Sequence, residues 1–381
     1  MCSPLNLLQL EELALDKYPL VRELRRYLQE NIADRISGLY EEEKISDTFA
    51  SDLGRLGVLS ALIDNKDPVL VGQIFREIER VDSGLRSFVS VQCALAGFAI
   101  STYGSKQQKE TYLNAMSSGS KIASFALTEP QGGSDPASML TNIERKPNGK
   151  LVLNGHKYWV TNAPSADAIV VWAKLDGKVQ GVLVPANTNG VDIIPIKNKL
   201  SLRVSQSSEV KFRDVQLTEL DLMPGATSLG KALACLNQAR LGIAWGVLGA
   251  MEDCIQTAVS FAKSRVLFAK PLASFQLTQE KLHGMTSDLC KAQLLAVQVT
   301  RLKVSDALEP FQVSLAKQNN VEVALNAARS ARQILGGTGI LAESKVMRHA
   351  CNLETVLTYE GTNEIHKLVV GMKLTGESAF S

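Results

Sequence analysis

Three short stretches of the chain combine residue types that can do chemistry. In Phe125-Ala-Leu-Thr-Glu-Pro-Gln-Gly-Gly-Ser-Asp135 a strand-like start runs into a Gly-rich loop with hydroxyls at Thr128 and Ser134. Glycines let the backbone approach a ligand closely, and exposed N–H and O–H groups suit an anionic or polar heterocyclic partner. In Tyr158-Trp-Val-Thr-Asn162 an aromatic face at Trp159 is followed by the Thr161 hydroxyl on the same side of a strand. In Thr358-Tyr-Glu-Gly-Thr-Asn-Glu-Ile-His366 a carboxylate, Glu360, stands at a break between two helical stretches. Each also has a plain structural reading: a tight turn, a core tryptophan and a solvated cap carboxylate.

The elements that must position these stretches follow from periodicity. Ser3-Pro4 reads as an N-cap with a first-turn proline, and Val21, Leu24, Leu28, Ile32 and Ile36 repeat at helical spacing. Val69 to Arg80, Ser87 to Tyr103 and Gln107 to Ser117 keep that period, the second apolar enough to lie inside a bundle. From Ile122 the signals become short β-branched runs broken by Asn154-Gly155 and Asp176-Gly177: Leu151 to Leu153, Tyr158 to Thr161, Ala168 to Ala173, Val179 to Val184 and Glu209 to Val215. After Pro224-Gly225 the helical period returns over Leu229 to Phe268, Thr278 to Leu308, Pro310 to Leu335, Glu343 to Thr358 and Glu364 to Leu374. The expected fold is α+β in three parts: a helical domain over 1–121, a β-sheet or barrel domain over 122–224, and a C-terminal four-helix bundle over 225–381.

Composition narrows the function classes. The 381 residues are 45% hydrophobic and 21% charged, enough for a sizeable core in two or three domains. Lys plus Arg number 41 against 39 Asp plus Glu, so no basic surface for phosphate tracking is expected, and no nucleic-acid partner. The longest apolar stretches, such as Val91 to Ile100 and Ala168 to Ala173, fall short of the roughly 20 residues that span a bilayer, so no membrane partner is expected. The N-terminus lacks the zones of a secretory or transit signal, which predicts a cytoplasmic location, or the mitochondrial matrix if the chain is a mature eukaryotic form. Six scattered cysteines without a C-x-x-C pair predict reduced thiols, mostly in the core, and no metal site. Signatures of P-loop hydrolases, Rossmann dehydrogenases, zinc proteases and serine hydrolases are missing.

Four motifs in one order, Thr128-Glu-Pro-Gln-Gly-Gly-Ser-Asp135, Tyr158-Trp-Val-Thr-Asn162, Gln333-Ile-Leu-Gly-Gly-Thr-Gly339 and Tyr359-Glu-Gly-Thr362, set in an α-β-α frame, resemble the acyl-CoA dehydrogenase family over nearly the whole chain. Within it the chain most resembles the glutaryl-CoA dehydrogenases, through Glu79 to Gln92, Ala239 to Ala250 and Arg348 to Glu354. The resemblance implies FAD held between the β domain and the C-terminal bundle. Phe125, Leu127, Thr128, Ser134, Trp159 and Thr161 would line the flavin and its ribityl chain, with Thr362 and Glu364 at the cofactor's other side. It further implies a homotetramer in which Arg265, Phe268, Gln276, Gln333, Gly336 and Gly337 reach the FAD of a neighbouring subunit, and an electron-transfer flavoprotein as acceptor.

The reaction implied is α,β-dehydrogenation of an acyl thioester, an oxidoreductase reaction on a CH–CH bond. The α proton is weakly acidic, so the chemistry needs a desolvated carboxylate with raised pKa and donors on the thioester oxygen. Glu360 matches the family's base, and Ile243 and Ala244 leave no carboxylate at the alternative base position of relatives. Arg86 and Ser90 match the glutaryl enzymes' contacts to a terminal carboxylate, Arg240 a contact to the thioester arm, and Ser134 and Tyr359 further substrate contacts. Arg86 also reads as a bundle arginine paired with Glu79 or Asp82. The substrate expected is glutaryl thioester, oxidised and decarboxylated to crotonyl thioester. The alternatives are a non-decarboxylating enzyme and one acting on an acyl group tethered to a carrier protein instead of CoA. Two departures from the family pattern stand out: Ile63 to Pro68 replaces a longer Gly-rich loop, and Ala269 replaces a glycine.

Overall fold

The computed structural model describes residues 5–147 and 149–380; Ser3-Pro4 and Cys2 lie outside them. The N-terminal part is helical: α1 (Pro19–Leu28), α2 (Ile36–Glu41), α3 (Phe49–Arg55), α4 (Val58–Asp64), α5 (Pro68–Val81), α6 (Ser83–Val89), α7 (Phe98–Tyr103) and α8 (Lys106–Ser117). Val21, Leu24, Leu28, Ile32 and Ile36 are all buried, as their spacing predicts, although the run is broken by a π-helical stretch, Gln29–Ala33. A second π-helical stretch, Ser90–Gly97, joins α6 to α7 into one helical run from Ser83 to Tyr103. By length and composition that run could cross a membrane, which a count of uninterrupted apolar residues does not reveal. It is almost wholly buried here, as the central helix of the N-terminal bundle. The short Ile63 to Pro68 connection is a capped turn: Asn65 ends α4 in a left-handed conformation, and Asp67 accepts hydrogen bonds from the Val69 and Leu70 amides ahead of Pro68 at the start of α5.

Seven strands form the middle sheet: β1 (Ala123–Ala126), β2 (Asn142–Arg145), β3 (Leu151–Thr161), β4 (Ala168–Leu175), β5 (Lys178–Pro185), β6 (Val191–Pro195) and β7 (Ser207–Leu217). The order is β1-β4-β2-β3-β7-β6 with β5 also on β4, and β4 runs parallel to β1 and β2. Asp176-Gly177 is the β4–β5 hairpin turn, both residues at positive φ. Asn154-Gly155 is not a turn. Both of its flanks pair with β7, so β3 runs through it with a bulge in which Gly155 packs on Thr141, leaving no room for a Cβ.

The C-terminal part holds α9 (Leu229–Ser264), a two-stranded hairpin of β8 (Val266–Leu267) and β9 (Lys270–Pro271), α10 (Gln276–Val304), α11 (Pro310–Leu335), α12 (Lys345–Val356) and α13 (Asn363–Thr375). At the hairpin tip Phe268 and Ala269 both take positive φ, so the turn survives the loss of the expected glycine with an alanine in a left-handed conformation. Cys93, Cys235 and Cys254 are buried and Cys290 and Cys351 half-buried, all as free thiols. Buried charges tie the bundle to the N-terminal helices: Arg76 reaches Glu252 at 2.5 Å, and Arg80 adds a second contact to the same carboxylate. Arg25 pairs with Glu77 at 2.6 Å.

Candidate active site

Glu360 lies in the six-residue link between α12 and α13, whose backbone the sequence shapes tightly. Glu360 and Gly361 take consecutive positive φ values of 52° and 99°, and Thr362 then caps α13 by accepting from the Ile365 amide. Gly361 is required twice over: its φ suits glycine, and a Cβ there would meet His366 Nε2 at 2.9 Å and Arg240 Nη2 at 3.2 Å. The turn is held from two helices. Arg240 Nε of α9 donates to the Glu360 carbonyl at 2.7 Å, and Lys317 Nζ of α11 donates to the Gly361 carbonyl at 2.8 Å and that of Leu357 at 3.4 Å.

These clamps occupy the main chain and leave the acid free. Glu360 Oε2 is buried without a hydrogen-bond partner. Burial raises the Glu360 pKa, while Arg86, Arg240 and Lys317 pull in the opposite direction without cancelling it. Burial also pulls Lys317 down to about 7 and the adjacent His366 to about 3, so the imidazole stays neutral. A buried carboxyl of raised proton affinity, with one oxygen unengaged, is equipped to take a proton from a weak carbon acid.

Arg86 is brought to this turn by the helix joint that carries it. Asp82 caps α6 through the Gly84 amide and also receives Arg348 Nε at 3.1 Å and Asn352 Nδ2 at 2.9 Å, fastening α6 to α12. Arg86 is fully buried; its Nε donates to Glu79 at 2.7 Å, its Nη2 to the Tyr359 hydroxyl, and its guanidinium carbon sits 5.4 Å from the Tyr359 ring centroid. The bundle reading of Arg86 holds through Glu79, its ion-pair partner, while Asp82 serves Arg348. One arm remains, because Arg86 Nη1, Ser90 Oγ and Glu79 Oε1 are all buried without partners. Burial disfavours the Arg86 cation, but Glu79 more than compensates and keeps it charged.

The Gly-rich loop is anchored to β3 by a buried pair absent from the sequence reading. Lys157 Nζ donates to the Leu127 carbonyl at 2.9 Å and to Glu129 at 2.8 Å, and Glu129 also accepts from the Leu140 and Thr141 amides. Burial opposes ionisation of Glu129, yet these hydrogen bonds, with Gln131, bring it down to about 2; burial lowers Lys157 to about 8. The Tyr158 amide donates to the Thr128 carbonyl at 2.9 Å, fixing the loop beside Trp159. A bulge between Lys157 and Val160, with Trp159 at φ 59°, turns that indole off the sheet and leaves it 55% exposed. Ser134 is exposed, and Thr128 and Thr161 are half-buried. An indole without apolar cover beside hydroxyls and open glycine backbone fits a flat heterocycle with a polar chain, which is what a flavin with its ribityl arm presents.

Phe125 and Leu127 are buried in the core shared with the N-terminal helices. Glu364 is exposed in the first turn of α13. Arg265, Phe268, Gln276, Gln333, Gly336 and Gly337 are exposed on the single chain, clear of the Glu360 cluster, with Phe268 at 89%. A hollow of about 640 Å³ lined by residues such as Gln131, Asn142 and His156 contains none of the expected site residues. Lys317 and His366 were missed altogether. The signal for Lys317 was present, since it interrupts the stripe Val313, Ala316, Val321 and Ala324 that α11 buries.

Comparison with known proteins finds likeness in three consecutive segments of the chain. Residues 17–120 match the family model described as acyl-CoA dehydrogenase, N-terminal domain, residues 124–215 that of the middle domain, and residues 229–375 that of the C-terminal domain. The human mitochondrial short-chain specific acyl-CoA dehydrogenase is 34% identical over 333 residues, covering 84% of this chain and 80% of its own. A crystal structure of glutaryl-CoA dehydrogenase from Mycobacterium smegmatis superposes with a TM-score of 0.95 at 44% identity, covering 99% of this chain and 98% of the other. A second, of a glutaryl-CoA dehydrogenase from the same organism in complex with FADH2, gives 0.96 at 41% identity with both chains fully covered.

Proposed function

The chain belongs to the acyl-CoA dehydrogenase family, and from that premise we propose that it oxidises glutaryl-CoA and decarboxylates the product to crotonyl-CoA. The observation that carries the choice of substrate is the unpartnered N–H arm of Arg86, a buried cation with Ser90 Oγ also unengaged. An acyl group ending in methyl would leave that arm unsatisfied, whereas a terminal carboxylate would complete it with a charge-assisted hydrogen bond. The likeness to the two Mycobacterium smegmatis structures supports the same reading.

FAD is the cofactor, and when bound it supplies the acceptor for the hydride leaving the β carbon. Thr128, Ser134, Trp159 and Thr161 would hold it, with Phe125 and Leu127 behind them and Thr362 and Glu364 at its other side. Glu360 removes the α proton, and its own backbone N–H serves as a donor to the thioester oxygen as enolate charge develops. Arg240 and Tyr359 shape the wall along which the thioester arm enters. After oxidation the bond to the terminal carboxylate breaks, CO2 leaves, and the electron pair passes into the conjugated thioester. The protonated Glu360 then returns its proton to the resulting dienolate.

The electron acceptor in this reading is an electron-transfer flavoprotein. The assembly is a homotetramer in which Arg265, Phe268, Gln276, Gln333, Gly336 and Gly337 meet a neighbouring subunit's FAD; the exposure of Phe268 on the single chain supports that role. The test is anaerobic addition of glutaryl-CoA to the flavin-loaded protein, following flavin absorbance and product mass. Bleaching with release of CO2 is expected. Bleaching with an unsaturated dicarboxylic product would remove the decarboxylation step, and bleaching by butyryl-CoA but not by glutaryl-CoA would overturn the substrate.

A further inference from the structure

We propose that Lys317 is a positioning residue for the base, its ammonium clamping, together with Arg240, the left-handed turn that presents Glu360. The inference rests on the reading of Glu360 as the proton acceptor and adds a residue that acts through it.

Lys317 has no exposed surface, and a buried lysine is tolerated only where something specific engages it. Among the described residues no carboxylate lies within ion-pair distance of it. Its acceptors are instead the carbonyls of Leu357 and Gly361, on either side of Glu360. A left-handed conformation at a glutamate is unfavourable and persists only where the surroundings impose it. Arg240, half-buried, holds the carbonyl of Glu360 itself, so three carbonyls in five residues are fixed by two cations, of which Lys317 is fully buried. The carboxylate, by contrast, receives no hydrogen bond on Oε2 and is left free to react.

The same ammonium is also a charge in the electrostatics of the base. The charged or titratable groups around it are Arg240 from α9, Arg86 from α6 with its partner Glu79 from α5, Tyr359 and Glu360 from the turn, and Glu364 and His366 from α13. His366 is neutral throughout the working range, so Lys317, brought to about 7, is the cation of this group that titrates near neutrality. A protonated Lys317 favours ionised Glu360. Its removal therefore raises the proton affinity of Glu360 and moves the acid limb of activity to higher pH.

The test compares Lys317→Met, which loses donor and charge, with Lys317→Gln, which keeps a donor and loses the charge. Both are measured as the FAD-loaded full-length enzyme, by kcat and KM from pH 5 to 9 and by amide hydrogen exchange of the segment around Glu360. Lys317→Met should lower kcat by about 10- to 100-fold with KM little changed. Its acid limb should shift upward and its turn amides exchange faster. Lys317→Gln should restore slow exchange while keeping the shifted limb. Should Lys317→Met fail to fold, Lys317→Gln against wild type still reads the acid limb, and Lys317→Ala, which also loses the donor, replaces Lys317→Met in the exchange comparison. An acid limb that stays at the wild-type pH in both variants, or turn amides as protected in Lys317→Met as in wild type, overturns the proposal. A wild-type enzyme that turns over neither glutaryl-CoA nor butyryl-CoA would instead sink the functional reading, and the exchange experiment would still judge the clamp.

Discussion

Replacing Arg86 by Gln tests the carboxylate anchor, but the structure shows that the single variant does two things at once. The arm that would meet a substrate carboxylate, Nη1, has no protein partner, so its loss removes one charge-assisted hydrogen bond worth about 1.5–3 kcal/mol. That corresponds to a loss in kcat/KM roughly 10- to 150-fold greater for glutaryl-CoA than for butyryl-CoA, whose methyl end makes no such bond, the ratio cancelling the effects on Tyr359 and Glu360 that both thioesters share. The other consequence falls on Glu79. Its Oε2 is held by Arg86 Nε and its Oε1 has no partner, so the variant strands a buried carboxylate at a cost of about 3–5 kcal/mol of stability unless it takes up a proton. The Glu79→Gln/Arg86→Gln double variant separates the two effects: it should regain most of the lost stability and none of the discrimination. Glu79→Gln alone leaves Arg86 without its counter-ion and should hold or improve kcat/KM for glutaryl-CoA. The assay is kcat/KM on both thioesters for all four proteins, with thermal unfolding in parallel. Equal losses on glutaryl-CoA and butyryl-CoA in the double variant would refute the anchor.

Three further variants carry expected outcomes. Glu360→Gln should keep its flavin while kcat falls by about 10²- to 10⁴-fold or more; a fully active variant would remove Glu360 as the base. Because burial raises the Glu360 pKa in the folded state, its ionisation costs stability as pH rises past the unfolded value. Glu360→Gln should therefore be more thermostable than wild type at pH 8, with the advantage shrinking toward pH 4, and calorimetry across that range checks the sign. Glu129 is shifted the other way, to about 2, so its contribution is complete above the unfolded value and is lost as pH falls from about 4.5 toward 2. Glu129→Gln should cost about 3 kcal/mol at pH 7 and loosen flavin retention, measured by urea unfolding and bound-FAD absorbance; unchanged stability would show that the Lys157 pair is not what fixes the loop. Ala269→Gly should stabilise the hairpin by about 1 kcal/mol, since Ala269 holds φ 62°; a lower unfolding midpoint would mean that the left-handed turn is relaxed in solution.

What could be read from the sequence divides along a physical line. Elements whose signals are local came through: α11 runs from Pro310 to Leu335 with proline in its first turn and glycine at its end, and the apolar stripe between them has one face to bury. Elements decided by distant pairing did not. Asn154-Gly155 carries a strong local turn signal, but pairing of both flanks with β7 outweighs it; β2 is short and polar, and β6 is a five-residue edge strand ending on a proline, too short to show a pattern of its own before it pairs with β7. The site divides in the same way. Glu360, Trp159 and Arg86 with its partner Glu79 sit in motifs whose residue types announce chemistry, whereas Lys157 and Lys317 look like ordinary charges on strand or helix faces, and only the packed fold shows those faces to be buried. A charged residue falling in register with an apolar stripe is the trace such groups leave in a sequence. Lys317 leaves it on the buried face of α11, whereas Arg76 and Glu79 lie on α5 where every residue from Val71 to Glu79 is buried, so no stripe marks them. Two of those three, Glu79 and Lys317, converge on the Arg86–Glu360 cluster and engage the groups proposed to meet substrate, while Arg76 pairs with Glu252 and fastens α5 to α9, so a buried charge on a core helix marks a polar junction, whether at the proposed site or between helices.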